Sequence, residues 1–273
     1  MKSAARKLLK DIYLYNAAIA LIDGLGLFGR FLKRKWSGID RRILEHYSQT
    51  QLVKKLHIGC GDHGIKDWLN ADFLPSSKEI LHLDATKPFP IKSNTFNYVF
   101  SEHMIEHISY DQGRQMLDEC YRILKVNGKI RIATPDLSFL IRLYGSKKSD
   151  LQERYIEYWT DRFIEKCEPS YYHATFVINN FVREWGHTFI YDEELLRLSL
   201  EKSGFSAIVK CELNESEDEV LQNLENEERQ PPGFLRLETI TLEGTKSTKS
   251  YRDGAPEQFM NMVEVLRGSK GKL

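Results

Sequence analysis

The chain has 273 residues, and its 39 Lys and Arg balance its 39 Asp and Glu, so the formal net charge is zero. With 41% hydrophobic and 29% charged residues it can bury a core, which excludes a disordered chain, and its neutral balance argues against a protein whose main business is neutralising phosphates. The four cysteines (Cys60, Cys120, Cys167, Cys211) form no C-x-x-C pair, which excludes a disulfide scaffold and a cysteine-rich zinc module and suits a reducing, cytoplasmic compartment.

The neutral total hides an asymmetry. Residues 1–42 hold ten Lys and Arg against Asp11, Asp23 and Asp40, a surplus of seven positive charges. Inside this stretch the apolar run 13–28 is interrupted by Asn16, Asp23, Gly24 and Gly26. It is shorter than the roughly 20 residues of a membrane span, and no small-residue cleavage site follows it. Residues 1–50 therefore read as a basic helical extension, either a cap on the main domain or a helix resting on an anionic membrane surface.

From Val53 onward, short β-like runs alternate with helical segments, the pattern of a mostly parallel sheet covered on both faces. Strands are expected at 53–59, 68–73, 79–84 and 96–101. Met116, Leu117, Cys120, Ile123 and Leu124 recur at helical spacing over 111–124. Gly128 closes that helix, 129–134 is the fifth strand, and Pro135 opens a further helix to about Tyr144. The aromatic-rich stretch 146–190 reads as an insertion or lid. Asp192 caps a helix that ends at Ser203-Gly204, and 205–213 is the sixth strand. The acidic stretch 214–233 reads as a solvated loop, 234–244 as the seventh strand, and 246–273 as a mobile tail. The main domain is thus expected over 51–245.

The chemistry concentrates at strand ends. Gly59-Cys-Gly61-Asp-His-Gly64 follows the first strand, where glycines let the backbone turn and approach a ligand. Taken literally it is a G-x-G-x-x-G dinucleotide fingerprint, which keeps an NAD(P)-dependent oxidoreductase as an alternative. That fingerprint should open a helix and be followed about 20 residues on by an acid, whereas here too few residues precede the next strand, and Asp72 comes sooner. Asp72 ends the second strand, Asp84 the third, and Ser101-Glu102 the fourth. Ligands of open α/β sheets bind beyond such carboxyl ends. Asp72 can accept both hydroxyls of a ribose, and Asp84 can accept from an exocyclic amine.

The runs Leu56-His-Ile-Gly-Cys-Gly61, Trp68-Leu-Asn-Ala-Asp72, Leu83-Asp-Ala-Thr-Lys-Pro-Phe-Pro90, 96–107 and 121–132 together resemble the class I S-adenosylmethionine-dependent methyltransferases, most closely the bacterial branch with a shortened first crossover. The resemblance returns at Gly186-His-Thr-Phe-Ile-Tyr-Asp192, at 203–205 and at Phe234-Leu-Arg-Leu-Glu238. It implies a Rossmann-like α/β fold, doubly wound around seven strands in the order 3-2-1-4-5-7-6 with the last strand antiparallel. It also implies S-adenosyl-L-methionine as cofactor, with Gly59, Cys60 and Gly61 at its methionine part, Asp72 at the ribose and Asp84 at the adenine, and with Phe73, Ala85, Ser101, Glu102 and His103 as further cofactor-binding residues. Two positions depart from the family pattern: His57 stands where an acid is usual, and His63 where a third glycine is usual.

His103-Met-Ile-Glu106-His107 also matches H-x-x-E-H, a zinc-peptidase pattern that belongs inside a helix with a third ligand elsewhere. Directly after a strand end it reads instead as a helix start beside the cleft, with no metal, and the zinc peptidase stays an alternative. If the acceptor is a hydroxyl, a base within reach helps by roughly 10²–10⁴-fold. The candidates are His107, His187 and Tyr191, with Glu184 behind them. The resulting expectation is in-line methyl transfer to a small-molecule or saccharide acceptor, of the kind used in glycan biosynthesis, with no nucleic-acid partner and with peripheral membrane contact through the basic amino terminus as an open reading. A non-catalytic module that binds S-adenosylmethionine is a further alternative. Co-sedimentation with anionic liposomes, with and without residues 1–35, separates the two readings of the extension: pelleting lost on truncation supports the membrane, and equal pelleting ends that reading.

Overall fold

The structure, a computed structural model, describes Gly26, Gly29 and residues 32–145, 147–163 and 172–247. Apart from Gly26, the apolar run at 13–28 lies outside the described residues, as do Cys167 and the tail beyond 247. The chain divides into two units, Met1–Thr50 and Gln51–Leu273. In the first, helix α1 spans Ile39–Thr50, and Arg34 is ion-paired to Asp40 at 2.6 Å. Among the described residues, no helix is long and apolar enough to cross a membrane.

The second unit is built on a seven-stranded sheet: β1 Lys55–Ile58, β2 Leu69–Asp72, β3 Leu81–His82, β4 Phe96–Glu102, β5 Leu124–Pro135, β6 Phe205–Cys211 and β7 Thr239–Lys246. Their order is β3-β2-β1-β4-β5-β7-β6. The first five strands run parallel, and β7 is antiparallel to both β5 and β6. This is the expected sheet. In β1, Leu56, His57 and Ile58 are buried in succession, as befits a parallel strand covered on both faces.

The expected alternation of strand and helix fails in the first half. No helix lies between β1 and β4; loops make all three connections. The helices follow later: α2 Tyr110–Ile123, α3 Leu137–Tyr144, α4 Asp150–Phe163, α5 Ala174–Arg183, α6 Glu193–Ser203 and the short α7 Phe234–Glu238. Helix α2 starts with a capping box between Ser109 and Gln112. Asp192 caps α6, which ends on left-handed Gly204 (φ 105°), where an added Cβ would stand 2.9 Å from the ring of Tyr121.

Three boundaries differ from expectation. Pro135 ends β5, and the residue that caps α3 is Asp136, whose side chain accepts from Ser138 N. After the α2 helix the left-handed residue is Asn127 (φ 63°), not Gly128, and β5 begins at Leu124. Residues 234–238 form α7 rather than strand, because Phe234, Leu235 and Glu238 fall on one buried helical face; the strand starts at Thr239.

The aromatic insertion shares a helical core with α3 and α7, outside its own bounds. Phe139, Leu140, Leu143, Tyr155, Ile156, Val177, Phe181 and Phe234 cluster there, so α3, α4, α5 and α7 pack together.

The acidic stretch is the larger correction, since it is packed rather than solvated. Leu221 and Leu224 cover Trp68 and Phe100. Register places Tyr98 beside Lys129 and Phe100 beside Arg131, so these four side chains share one face of the sheet. Asp218 takes an ion pair from Lys129 at 2.8 Å and a hydrogen bond from the Tyr98 hydroxyl. Arg131 is fully buried and donates to Glu225 and Glu243, each at 2.6 Å, and to the carbonyls of Glu215 and Glu212. The count of charges along 214–230 does not reveal this pairing, which depends on one arginine in a distant strand.

Two stability measurements follow from these buried charges. Removing one partner of a buried ion pair costs about 3–5 kcal/mol, so Arg131→Met lowers the urea midpoint strongly, and adding Glu225→Gln and Glu243→Gln recovers most of the loss; an unchanged midpoint for the single variant contradicts the pairing. The second concerns Glu238, which is buried and accepts from Tyr155 and Gln230. Burial pushes its carboxyl up to about 7, against the opposing hydrogen bonds. The native protein therefore keeps a proton that the unfolded chain has already lost. The stability contribution is full below the ordinary glutamate range and falls as pH rises through about 7, by of order 3 kcal/mol. Glu106, also buried and pushed up to about 8, acts in the same sense, so Glu238→Gln removes only part of the decline in Tm between about pH 5 and about pH 8.

Candidate active site

The loop after β1 turns at two left-handed glycines, Gly59 (φ 74°) and Gly61 (φ 51°). Gly59 N and Cys60 N both donate to the carbonyl of Ala71, at 2.9 and 3.1 Å, which folds the loop back over β2. A Cβ at Gly59 would fall on the side chain of Met104, so only glycine lets these two loops meet. Asp72, at the end of β2, fastens the turn: Oδ2 accepts from Gly61 N at 2.8 Å and Oδ1 from Leu74 N at 2.7 Å. Asp84, just after β3, accepts from Thr86 N and its hydroxyl, both on Oδ1.

These strand ends open on one cleft of about 500 Å³. Gly59, Gly61, Asp72, Phe73, Asp84, Ala85 and Thr86 line it from the ends of β1, β2 and β3; His103, Met104, His107 and Ile108 line it from the loop after β4. The volume falls within the range of small-molecule and cofactor sites. Two carboxylates that share one hollow with apolar Ile58, Phe73 and Leu83 suit a ligand carrying hydroxyl or amine donors on a flat apolar body, and an adenosine is such a ligand. The residues present fit S-adenosylmethionine.

Beyond β4 the chain enters a left-handed residue, His103 (φ 45°), and then a single 3₁₀ turn, Ile105–His107. His103 N donates to the carbonyl of Ala133. Its Nε2 lies 2.9 Å from Thr239 Oγ1 and its Nδ1 3.4 Å from Glu106 Oε1. Burial holds this imidazole well below its ordinary range, with Arg229 and the two neighbouring histidines adding in the same direction. Glu106 is fully buried; the Thr134 hydroxyl donates to its Oε2 at 3.0 Å, while Oε1 has no hydrogen bond.

His187 reaches this place from a distant part of the chain. The amides of Thr188 and Phe189 donate to the carbonyl of Glu106, at 2.7 and 3.1 Å, and pin the His187 segment to the 3₁₀ turn. The rings of His107 and His187 stand 5.0 Å apart, edge to face. Burial lowers the pKa of both; backbone hydrogen bonds around Gly186 oppose this for His107, and the Phe181 carbonyl opposes it for His187. Trp185 and Phe181 flank His187 at 5.6 and 5.7 Å.

The other candidates lie elsewhere. Cys60 is buried, with its thiol pushed up to about 12 by burial and by Asp72, so it is inert. Ser101 is buried beneath the floor, and its hydroxyl has no partner. Glu102 accepts from Asn226 N at 3.2 Å and faces Arg229 at 3.6 Å, away from the cleft lining. Tyr191 is buried; its hydroxyl points at Gly113 of α2, where an added Cβ would collide with it. Glu184 is exposed at the end of α5. Sequence reasoning missed Met104 and Thr86. Met104 has a signal in hindsight, since it sits inside the H-x-x-E-H run beside a glycine turn; Thr86 has none beyond its position two residues after Asp84.

A sequence model of the family described as a methyltransferase domain matches residues 66–132. No curated protein matches the chain. Among solved structures, a SAM-dependent methyltransferase from Archaeoglobus fulgidus is 16% identical, with 80% of this chain and 99% of that one covered and a TM-score of 0.41. A SAM-dependent methyltransferase from Thermotoga maritima is 17% identical, with 81% and 99% covered and a TM-score of 0.40. Phosphoethanolamine N-methyltransferase 2 of Haemonchus contortus is 13% identical, and the match covers 77% of this chain and 52% of that longer one with a TM-score of 0.40. The matched stretch 66–132 runs from the approach to β2 into β5, through Asp72, Asp84, His103 and His107, so the part of this chain that is similar to a methyltransferase domain is the part that carries much of the cleft lining.

Proposed function

We propose that the chain transfers a methyl group in line to a hydroxyl of a small molecule or saccharide, with the cofactor in the cleft over Gly59 and Gly61. The observation that carries this reading is the convergence of Asp72 and Asp84 on one hollow beside a glycine turn. S-adenosylmethionine supplies an electrophilic sulfonium methyl when bound. Asp72 would hold the ribose hydroxyls and Asp84 an adenine amine, while Phe73 and Ala85 bound the apolar body. The glycine turn exposes backbone to the methionine part. Because in-line displacement needs alignment above all, a turn held at both ends by Ala71 and Asp72 does much of the work.

On the acceptor side, His107 and His187 would handle the acceptor's proton. Trp185, 40% exposed beside His187, offers an aromatic face of the kind that stacks on sugars and flat rings. Tyr191 has no part in this reading, since its hydroxyl is buried under α2. The extension with its seven surplus positive charges would bring the domain to an anionic surface on the cytoplasmic face of a membrane.

Cofactor binding tests the cleft without any acceptor. Calorimetric titration with S-adenosylhomocysteine should show binding by the wild-type chain, and ligand at 100 times Kd should add about 2.7 kcal/mol of stability, with no shift from NAD. Asp72→Ala removes charge-assisted bonds worth about 1.5–3 kcal/mol each and should weaken binding by about 10- to 100-fold; Gly59→Ala should do as much through its collision with Met104. Wild-type affinity in both variants overturns the assignment of the cleft.

A further inference from the structure

The ligand-capable atoms of Glu106, His107 and His187 all lie within 4.8 Å of one another. More than proximity marks this cluster. Glu106 is 0% exposed, and its Oε1 takes no hydrogen bond. His187 Nδ1 lies 2.6 Å from the carbonyl of Phe181; donation there fixes the ring and leaves Nε2 with its lone pair, the support that metal-ligating histidines usually have. The amides of Thr188 and Phe189, on the carbonyl of Glu106, lock the two segments together. His107 lines the cleft, so the cluster has one open side.

We propose that Glu106, His107 and His187 form a binding site for a divalent first-row transition ion, zinc foremost, on the acceptor side of the cleft. Two imidazoles and a carboxylate with one open position are the donor set of catalytic zinc sites, and nitrogen-rich mixed sets of this kind favour zinc and its neighbours over magnesium or calcium. Ligand atoms around tetrahedral zinc stand roughly 3.3 Å apart. No pair would need to draw in by more than about 1.5 Å, within reach of a rotation of the exposed His107 ring and the half-buried His187 ring. His103 stays outside the set, with Nε2 on Thr239 and Nδ1 beside Glu106. The arrangement therefore differs from the H-x-x-E-H peptidase pattern, in which both motif histidines bind the ion, and it departs from the metal-free expectation for this motif. The role of the ion, though not its presence, rests on the methyltransferase reading: an acceptor hydroxyl bound to it loses its proton to water more readily, and with the ion in place His107 and His187 act on that proton through the ion rather than as free bases.

The full-length protein, stripped with chelator and free of S-adenosylmethionine, is titrated with zinc chloride and, in parallel, with cobalt(II) as a visible-absorption reporter. About one equivalent should bind. His107→Ala and His187→Ala should each weaken binding by at least about tenfold, while His46→Ala, at an exposed histidine of α1, leaves it unchanged. Glu106→Gln, at a buried position where folding itself is at stake, is read only beside the two histidine variants. Uptake below about a tenth of an equivalent, or stoichiometric uptake that survives both histidine substitutions, overturns the site. A thermal shift with S-adenosylhomocysteine on the same stripped protein keeps the two readings apart: a shift without zinc uptake overturns the ion alone, and zinc uptake without a shift overturns the cofactor cleft alone.

Discussion

One carboxylate, Asp72, ties the end of β2 to the glycine turn after β1, and the geometry of the cleft depends on that tie. Each of its oxygens accepts one backbone N–H, from Gly61 and from Leu74. A carboxylate offers about four acceptor positions, so two backbone bonds leave capacity toward the hollow. The same group thus sets the shape of the turn and presents charge to a ligand. Few other side chains could do both. An amide keeps one good acceptor but loses the charge, and a longer glutamate would push the turn away from β2. The complementary constraint is at Gly59, where any Cβ would meet Met104 and separate the loop after β1 from the loop after β4.

The helix-free connections between β1 and β4 raise a packing problem, because a parallel strand needs cover on both faces. Here part of that cover comes from the acidic stretch. Leu221 and Leu224 sit on Trp68 and Phe100, while Asp218 and Glu225 meet Lys129 and Arg131 on the same sheet face. The salt bridge of Arg131 is fully desolvated, and such pairs specify geometry more than they add net stability. The arrangement fixes where 214–230 lands on the sheet, which a purely apolar contact of two leucines would leave less defined.

Much of this was legible in the sequence. The strand ends were found because glycine and aspartate interrupt short β-branched and aromatic runs there, and the sheet order came with the family resemblance. Helix α2 was also readable from its apolar spacing and α6 from its Asp192 cap, since side chain and spacing act locally. What stayed hidden depends on distance along the chain. The charges of 214–230 look like a solvated face until Arg131 and Lys129 are placed opposite them. Residues 234–238 alternate like a strand, yet the buried set Phe234, Leu235 and Glu238 is helical. The fate of Tyr191 was decided by Gly113, since the glycine leaves room under α2 that the tyrosine hydroxyl occupies.

The placement of His103 joins these themes. A non-glycine residue at φ 45° costs about 1–2 kcal/mol, and it sits where β4 ends and the cleft begins. Its left-handed turn redirects the chain into the 3₁₀ turn that carries Glu106 inward and His107 outward; a continuous helix would space 103 and 107 on one face. An extended continuation of β4 would instead carry Glu106 past Thr134, the residue that now donates to it. The left-handed residue separates the two histidines of the motif: His103 turns back to Thr239 on β7, and His107 goes to the cleft with His187. The neutral, buried His103 can then stay between Glu106 and Thr239 as a spacer, while the carboxylate of Glu106 also lies within 4.8 Å of ring nitrogens of His107 and His187.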